Sequence, residues 1–185
     1  MSENPTERLM ERTLRSEQVY SGRVVGLRVD DVELPGGGRC TREVVEHRGA
    51  VAAVPVTGDR EVLMVRQWRH PAGEVLLEIP AGTLEADERP EETMRRELVE
   101  ETGHRAGCIE HMADLYTAPG YSTEVISVYL ATELESAAGE GDTDEQIEVV
   151  RLPFDEALLR CWSGELRDSK TVAGLLLAAG RLEVE

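Results

Sequence analysis

Lysine is almost missing from this chain: Lys170 is the only one among 20 basic residues. The scarcity fits a GC-rich genome or a salty habitat, and composition does not separate the two. Against those 20 bases stand 37 Asp and Glu, for a formal net charge of −17. The long-range field repels nucleic acid and anionic membrane surfaces, so neither is expected as a partner. Cysteine is scarce as well. Cys40, Cys108 and Cys161 are odd in number and lack metal-site spacing, so free, buried thiols in a reducing cytosol are expected. The four histidines form no HxH or HExxH pattern. The N-terminus, MSENPTERLMERT, has no apolar stretch of signal-peptide type. The longest apolar run near the C-terminus, Leu175–Ala179, is far short of the roughly 20 residues a bilayer-spanning helix needs. A cytoplasmic protein is expected. No internal repeat and no low-complexity segment is visible.

What is present suits one globular domain with appendages: 185 residues, 41% of them apolar. Residues 1–15 read as a polar start, poorly ordered or weakly helical. Val19-Tyr20, Val24–Val29 and Val32–Leu34 are short β-prone pieces, Pro35–Gly38 a turn, and Arg42–His47 a returning strand. They predict a small antiparallel sheet ahead of the main domain. Gly49–Val56 is a continuous apolar run suited to a buried central strand. Thr57–Arg60 turns the chain and Glu61–Arg66 returns it. Gln67–Pro71 then leaves the sheet. Cys108–Tyr116, Val125–Ala131 and Ile147–Leu152 read as strands. Ser136–Thr143 reads as a small acidic loop, and Pro153–Trp162 and Ser169–Leu182 as helices. In the last helix Val172, Leu175, Leu176 and Ala179 recur at helical spacing. Strands around one functional helix, closed by two more, predict an α+β sandwich.

That functional helix lies in Gly82–His104, GTLEADERPEETMRRELVEETGH. Pro90 suits a first turn, Glu91 and Glu92 oppose the positive pole there, and Gly103 suits the position past the last turn. Glu97, Glu100 and Glu101 fall at i, i+3 and i+4, which puts three carboxylates on one face. A solvated acidic face is one account of them. The other is a bound divalent cation, and oxygen-only ligands favour hard Mg²⁺ or Mn²⁺. Mg²⁺ commonly bridges carboxylates to substrate phosphates, so the matching substrate is a phosphoanhydride. Arg96, next to Glu97, can orient a carboxylate through a charge-assisted hydrogen bond.

Gly82, five residues, Glu88, seven residues, Arg96-Glu97-Leu98, one residue, Glu100-Glu101, one residue, Gly103: this pattern resembles the Nudix box. The one departure is His104, where the family usually has an aliphatic residue. The resemblance implies an α/β/α sandwich of mixed sheet and Mg²⁺-dependent hydrolysis of nucleoside diphosphates linked to another moiety. It implies Glu97 and Glu101 as metal ligands, Glu100 as a further or water-mediated one, and Glu88 as structural. Three features outside the box resemble the ADP-ribose pyrophosphatase branch. They are Gln67-Trp68-Arg69 with Leu77–Gly82 (LEIPAG), Ala118–Glu124 (APGYSTE) and Asp144–Val149 (DEQIEV). That branch implies the Ala81 carbonyl as an extra ligand, Glu145 as the base, and hydrolysis of ADP-ribose to AMP and ribose 5-phosphate. It also implies a homodimer built on residues 1–48, with 49–185 as the hydrolase domain.

The remaining candidates each have two accounts. Arg69 offers a planar fork to a pyrophosphate, or is an ordinary surface arginine. Trp68 is expected in the core, with stacking on adenine as the alternative. Arg42 either stabilises the N-terminal sheet or reaches the partner subunit's substrate. Glu124 either bonds ribose hydroxyls or ends a loop. Glu145 either accepts the proton of the attacking water or is solvated. Other nucleotide sugars or dinucleotides, a non-catalytic ADP-ribose sensor, and a purely structural acidic domain are the competing functions.

Overall fold

The apolar run after Gly49 becomes β4 (Ala50–Pro55), and all six of its residues are buried. The computed structural model describes residues 6, 8–138 and 146–182, which form two compact units. β4 lies in the second, made of Gly49–Thr117 and the described residues from Val125 onward. It pairs in parallel with β9 (Val125–Ser136) and antiparallel with β7 (Ala81–Thr83). β8 (His104–Tyr116) completes a four-stranded mixed sheet in the order β7-β4-β9-β8. A second sheet, β10-β5-β6, is antiparallel and comprises β5 (Glu61–Arg69), β6 (Glu74–Glu78) and β10 (Ile147–Pro153).

Alternation along β4 assigns its two faces. Val51 and Ala53 meet Met94 and Leu98 of α1 (Pro90–Thr102). Ala52 and Val54 meet Phe154 of α2 (Phe154–Trp162) and Leu175 and Ala178 of α3 (Ser169–Leu182). This is the expected α+β architecture, an α/β/α sandwich of mixed sheet with a small N-terminal antiparallel sheet.

The turn Thr57–Arg60 returns the chain as expected: Thr57 N–H donates to Glu61 O at 2.8 Å and Val56 bridges Val62. Past that bridge β7 and β9 occupy both edges of β4, and β5 pairs with β6 and β10 in the other sheet. Two details of the second unit depart from expectation. Gln67–Arg69 does not leave the sheet: β6 continues to pair with it, Trp68 opposite Val75 and Arg69 opposite Glu74. The buried stripe of α3 is Thr171, Gly174, Leu175 and Ala178, while Leu176 is exposed. Small residues set that face. A Cβ on Gly174 would lie 2.9 Å from Ile79 Cδ1 and 3.2 Å from Val54 Cγ2. Gly174→Val is therefore expected to destabilise the protein by about 1–3 kcal/mol in urea unfolding through overpacking. An unchanged or raised midpoint would contradict this packing.

The first unit comprises the described residues up to Arg48 together with Ala118–Glu124. β1 (Arg12–Ser21), β2 (Val25–Glu33) and β3 (Arg39–His47) form an antiparallel sheet in chain order. The polar start read for residues 1–15 is corrected over its last residues, since Arg12–Arg15 are strand. Arg12 pairs with Glu33 in register and by a 2.7 Å ion pair, and a strand exposed throughout carries no apolar alternation to reveal it. Ala118–Glu124 lies along β3, where Val45 N–H donates to Tyr121 O at 2.7 Å.

All three thiols are free, as expected, but none is buried: Cys108 is exposed, and Cys40 and Cys161 are half-buried. Cys108 falls on a stretch of β8 whose neighbours Gly107 and Glu110 are also exposed.

Candidate active site

α1 begins and ends where its residues dictate. Pro90 stands in the first turn with Glu91 and Glu92, and Gly103 closes the helix at φ 67°, its N–H donating to Val99 O. That left-handed conformation favours glycine. The last turn contains Glu100 and Glu101 and no basic residue. Two carboxylates thus sit at the negative pole of the dipole, which raises their need for a cation.

The glutamates point to two places. Glu101 is buried, and its Oε2 accepts the Ala81 N–H at 2.9 Å. Glu97 lies so close to the β7 backbone that a Cβ on Gly82 would fall 2.1 Å from its Cδ and Oε1. Only glycine leaves room for the carboxylate there. Glu97 and Glu101 therefore converge on one dipeptide, Ala81-Gly82. Glu100 instead accepts from Arg96 at 2.8 Å. Arg96 also pairs with Glu97 at 2.9 Å and Glu88 at 3.2 Å. Burial pulls the guanidinium's pKa down, but hydrogen bonds to Glu88 and Glu100 and the charge of Glu97 outweigh it and hold Arg96 above its ordinary value. The Arg96 hydrogen bond holds Glu88 below the usual carboxylate range. One guanidinium cannot neutralise so many carboxylates.

Among the described residues no three His, Cys, Asp or Glu side chains form a ready metal cage. The donor set is still oxygen-only, and the Gly82 cradle keeps two carboxylates on one backbone edge. Those residues fit a hard divalent cation that takes few protein ligands.

The other candidates are distributed as follows. Arg69 donates from Nε and Nη2 to Glu78 at 2.8 and 2.7 Å, so that edge of its fork faces a carboxylate. Trp68 is not a core residue: it is 56% exposed, sharing with Arg66 the outer side of this end of β5 while Val65 and Gln67 are buried. Arg42, in the first unit, pairs with Glu11 at 2.5 Å. Glu124, in the same unit, lies 3.4 Å from His47 Nδ1. Glu145 lies outside the described residues, as does most of the acidic loop. His104, the departure from the box pattern, bonds Thr102 O through Nδ1 at 2.7 Å. Sequence reasoning missed Asp168 and Thr171 altogether, and noted Lys170 only for its rarity. Lys170 in fact donates to the buried Glu78. The available signal was an Asp-x-Lys-Thr run at a helix start, where Asp is a favoured cap.

Fold and box geometry together define a Nudix domain. The NUDIX domain model matches residues 46–174, and the chain belongs to that family. A second model, the nucleoside diphosphate sugar hydrolase N-terminal domain, matches residues 11–45. Family members generally use divalent metal ions. The chain is 46% identical over 165 residues to a methanol dehydrogenase activator of Bacillus methanolicus, covering 88% of this chain and 89% of that one. It is 44% identical over 165 residues, with the same coverage, to an ADP-ribose pyrophosphatase of Bacillus subtilis (strain 168). A solved ADP compounds hydrolase superposes with a TM-score of 0.83 at 25% identity, covering 94% of each chain. No helix among the described residues is long and apolar enough to cross a membrane.

Proposed function

We propose that the chain hydrolyses the pyrophosphate bond of ADP-ribose to AMP and ribose 5-phosphate, with Mg²⁺, or Mn²⁺ in its place. The observation that carries the reading is the convergence of Glu97 and Glu101 on Ala81-Gly82. These two carboxylates would hold the cation, with the Ala81 carbonyl and Glu100 as further donors. Bound there, Mg²⁺ supplies positive charge to the phosphate oxygens. Arg96 orients Glu88, Glu97 and Glu100 through its fork. Arg69 and the exposed Trp68 would contact the substrate. Arg42 and Glu124 are assigned the same role from the first unit, with Arg42 directed to the partner subunit's substrate. The water oxygen attacks one phosphorus, the bridging P–O bond breaks, and the displaced phosphate leaves with its sugar.

Similarity to the Bacillus subtilis pyrophosphatase supports ADP-ribose over other nucleotide sugars. The intact Glu97, Glu100 and Glu101 argue against a non-catalytic sensor. Comparing kcat/KM for ADP-ribose, GDP-mannose, NADH and diadenosine polyphosphates tests the choice. A higher value for any of the others would move the substrate and leave the family untouched.

Glu145 is proposed as the base. Glu145→Gln is expected to lower kcat more than it raises KM, because a base acts mainly in the transition state. A rise in KM alone would make Glu145 a binding residue.

A homodimer in the cytoplasm is proposed from the first unit. β1 is exposed along all ten residues, and Leu14, Val19 and Tyr20 on it are uncovered. A second copy would cover this edge. Light scattering at micromolar concentration is expected to give a dimer, and Val19→Asp with Tyr20→Asp to shift it towards monomer. A monomeric wild type with full activity would reject the assembly.

A further inference from the structure

Behind the dipeptide that meets Glu97 and Glu101 lies a polar network in which Arg69 alone is assigned to the substrate. Glu78, the last residue of β6, is 1% exposed. It accepts two hydrogen bonds from Arg69 and one from Lys170 Nζ. Lys170 Nζ also donates to Asp168 Oδ2 at 3.0 Å. The same Asp168 oxygen caps α3, accepting the Thr171 N–H at 3.0 Å and the Thr171 hydroxyl at 2.6 Å. The Thr171 oxygen in turn accepts the Ile79 N–H at 2.9 Å. Donor and acceptor roles are thereby fixed along the chain of bonds from Asp168 to Ile79. The two cations, Arg69 and Lys170, balance the two anions, Glu78 and Asp168.

The strap Glu78–Gly82 is therefore held from both helices. From α3, Lys170 holds the Glu78 carboxylate and Thr171 holds the Ile79 N–H. From α1, Glu101 accepts the Ala81 N–H at 2.9 Å. Between them the Pro80 carbonyl accepts the Ala53 N–H at 3.0 Å. Planar peptides transmit a shift at Ile79 to Ala81 with little slack. A displaced Ala81-Gly82 would no longer meet the two carboxylates that converge on it. Arg69 lies close enough for Glu101 to add to its stabilisation, after the larger effect of its hydrogen bonds to Glu78.

We infer that Lys170, with Asp168 and Thr171, is a positioning residue for the cation-binding edge: it fixes Glu78 and Ile79 so that Ala81 and Gly82 stay in register with Glu101 and Glu97. The inference rests on the metal reading given under the proposed function. A merely structural ion pair would lower stability and leave cation affinity alone.

The test is a titration of metal-free protein with Mn²⁺, followed by the electron paramagnetic resonance signal of the free ion. It compares wild type, Lys170→Met, Thr171→Val and Leu175→Ala. Lys170→Met is expected to bind Mn²⁺ about 10–100-fold more weakly, the range for outer-shell partners of a metal site. Thr171→Val keeps the shape, removes the acceptor of the Ile79 N–H, and should weaken binding in the same direction. Leu175→Ala removes a fully buried α3 side chain outside the network; it should lose stability and keep its Mn²⁺ affinity. With ADP-ribose, Lys170→Met should lower kcat while KM holds, and Lys170→Arg should recover part of the loss. Wild-type Mn²⁺ affinity in Thr171→Val and in Lys170→Met overturns the inference and leaves the metal reading standing. If Lys170→Met fails to fold, Thr171→Val decides alone. A wild-type protein that takes up no Mn²⁺ overturns the metal reading and the inference with it.

Discussion

Glu101→Gln is expected to reduce kcat for ADP-ribose by about 10²–10⁴-fold, the loss that removing a metal ligand or essential acid–base group brings. The substitution is nearly isosteric. The Gln oxygen can still accept the Ala81 N–H that Glu101 accepts at 2.9 Å. What disappears is one negative charge at the C-terminal end of α1, where the dipole already disfavours it. Because Glu101 is buried, a neutral side chain is easier to bury there, so the thermal midpoint should hold or rise. Activity and stability are thus predicted to move apart. Glu97→Gln should behave alike. Steady-state kinetics beside a melting curve make the check, and near-normal turnover in Glu101→Gln would sink the ligand assignment.

The second large effect concerns stability. Glu78→Gln is expected to cost about 3–5 kcal/mol in urea unfolding, the range for breaking one side of a buried ion pair. Gln keeps the shape and removes the charge on which Arg69 and Lys170 both converge. The same residue sets a pH dependence. Burial alone would raise the Glu78 pKa, but the Arg69 hydrogen bonds and the Lys170 charge outweigh it and hold the carboxyl below its ordinary 4.5. A lowered folded pKa contributes stability above the ordinary value, and that contribution is lost as pH falls through the folded one. Wild type should therefore lose urea resistance as pH drops below about 4.5, and Glu78→Gln should lose less over the same span. Parallel acid limbs in the two proteins would contradict this role for Glu78.

Where one local signal decides the structure, the sequence was readable. Pro90 and Gly103 bound α1 because each suits one end of a helix and few other places. The apolar run after Gly49 became a strand buried along its whole length. The box glutamates were legible as a group because their spacing is a helical one. Other features depend on partners far along the chain. The Lys170–Glu78 pair spans 92 positions, and nothing in either neighbourhood announces it. The turn between Gly49–Val56 and the returning Glu61–Arg66 was legible, but that the returning strand joins a different sheet depends on β7 and β9, which occupy both edges of β4. Trp68 illustrates the converse error. Its size suggests burial, whereas its register on β5, opposite Val75, leaves it exposed. Glu97 and Glu100 looked equivalent on the helical wheel. Arg96 pairs with both, and it is the glycine at position 82, against which only Glu97 packs, that separates them.

The most direct test of the central claim follows ADP-ribose by ³¹P nuclear magnetic resonance in the presence of the intact protein, first with Mg²⁺ and then with excess chelator. The account predicts that the pyrophosphate resonances give way to two phosphomonoester signals, those of AMP and ribose 5-phosphate, with Mg²⁺ alone. It also predicts that Glu97→Gln and Glu101→Gln leave the pyrophosphate nearly intact over the same time. Equal conversion under chelator, or by the two variants, would contradict it.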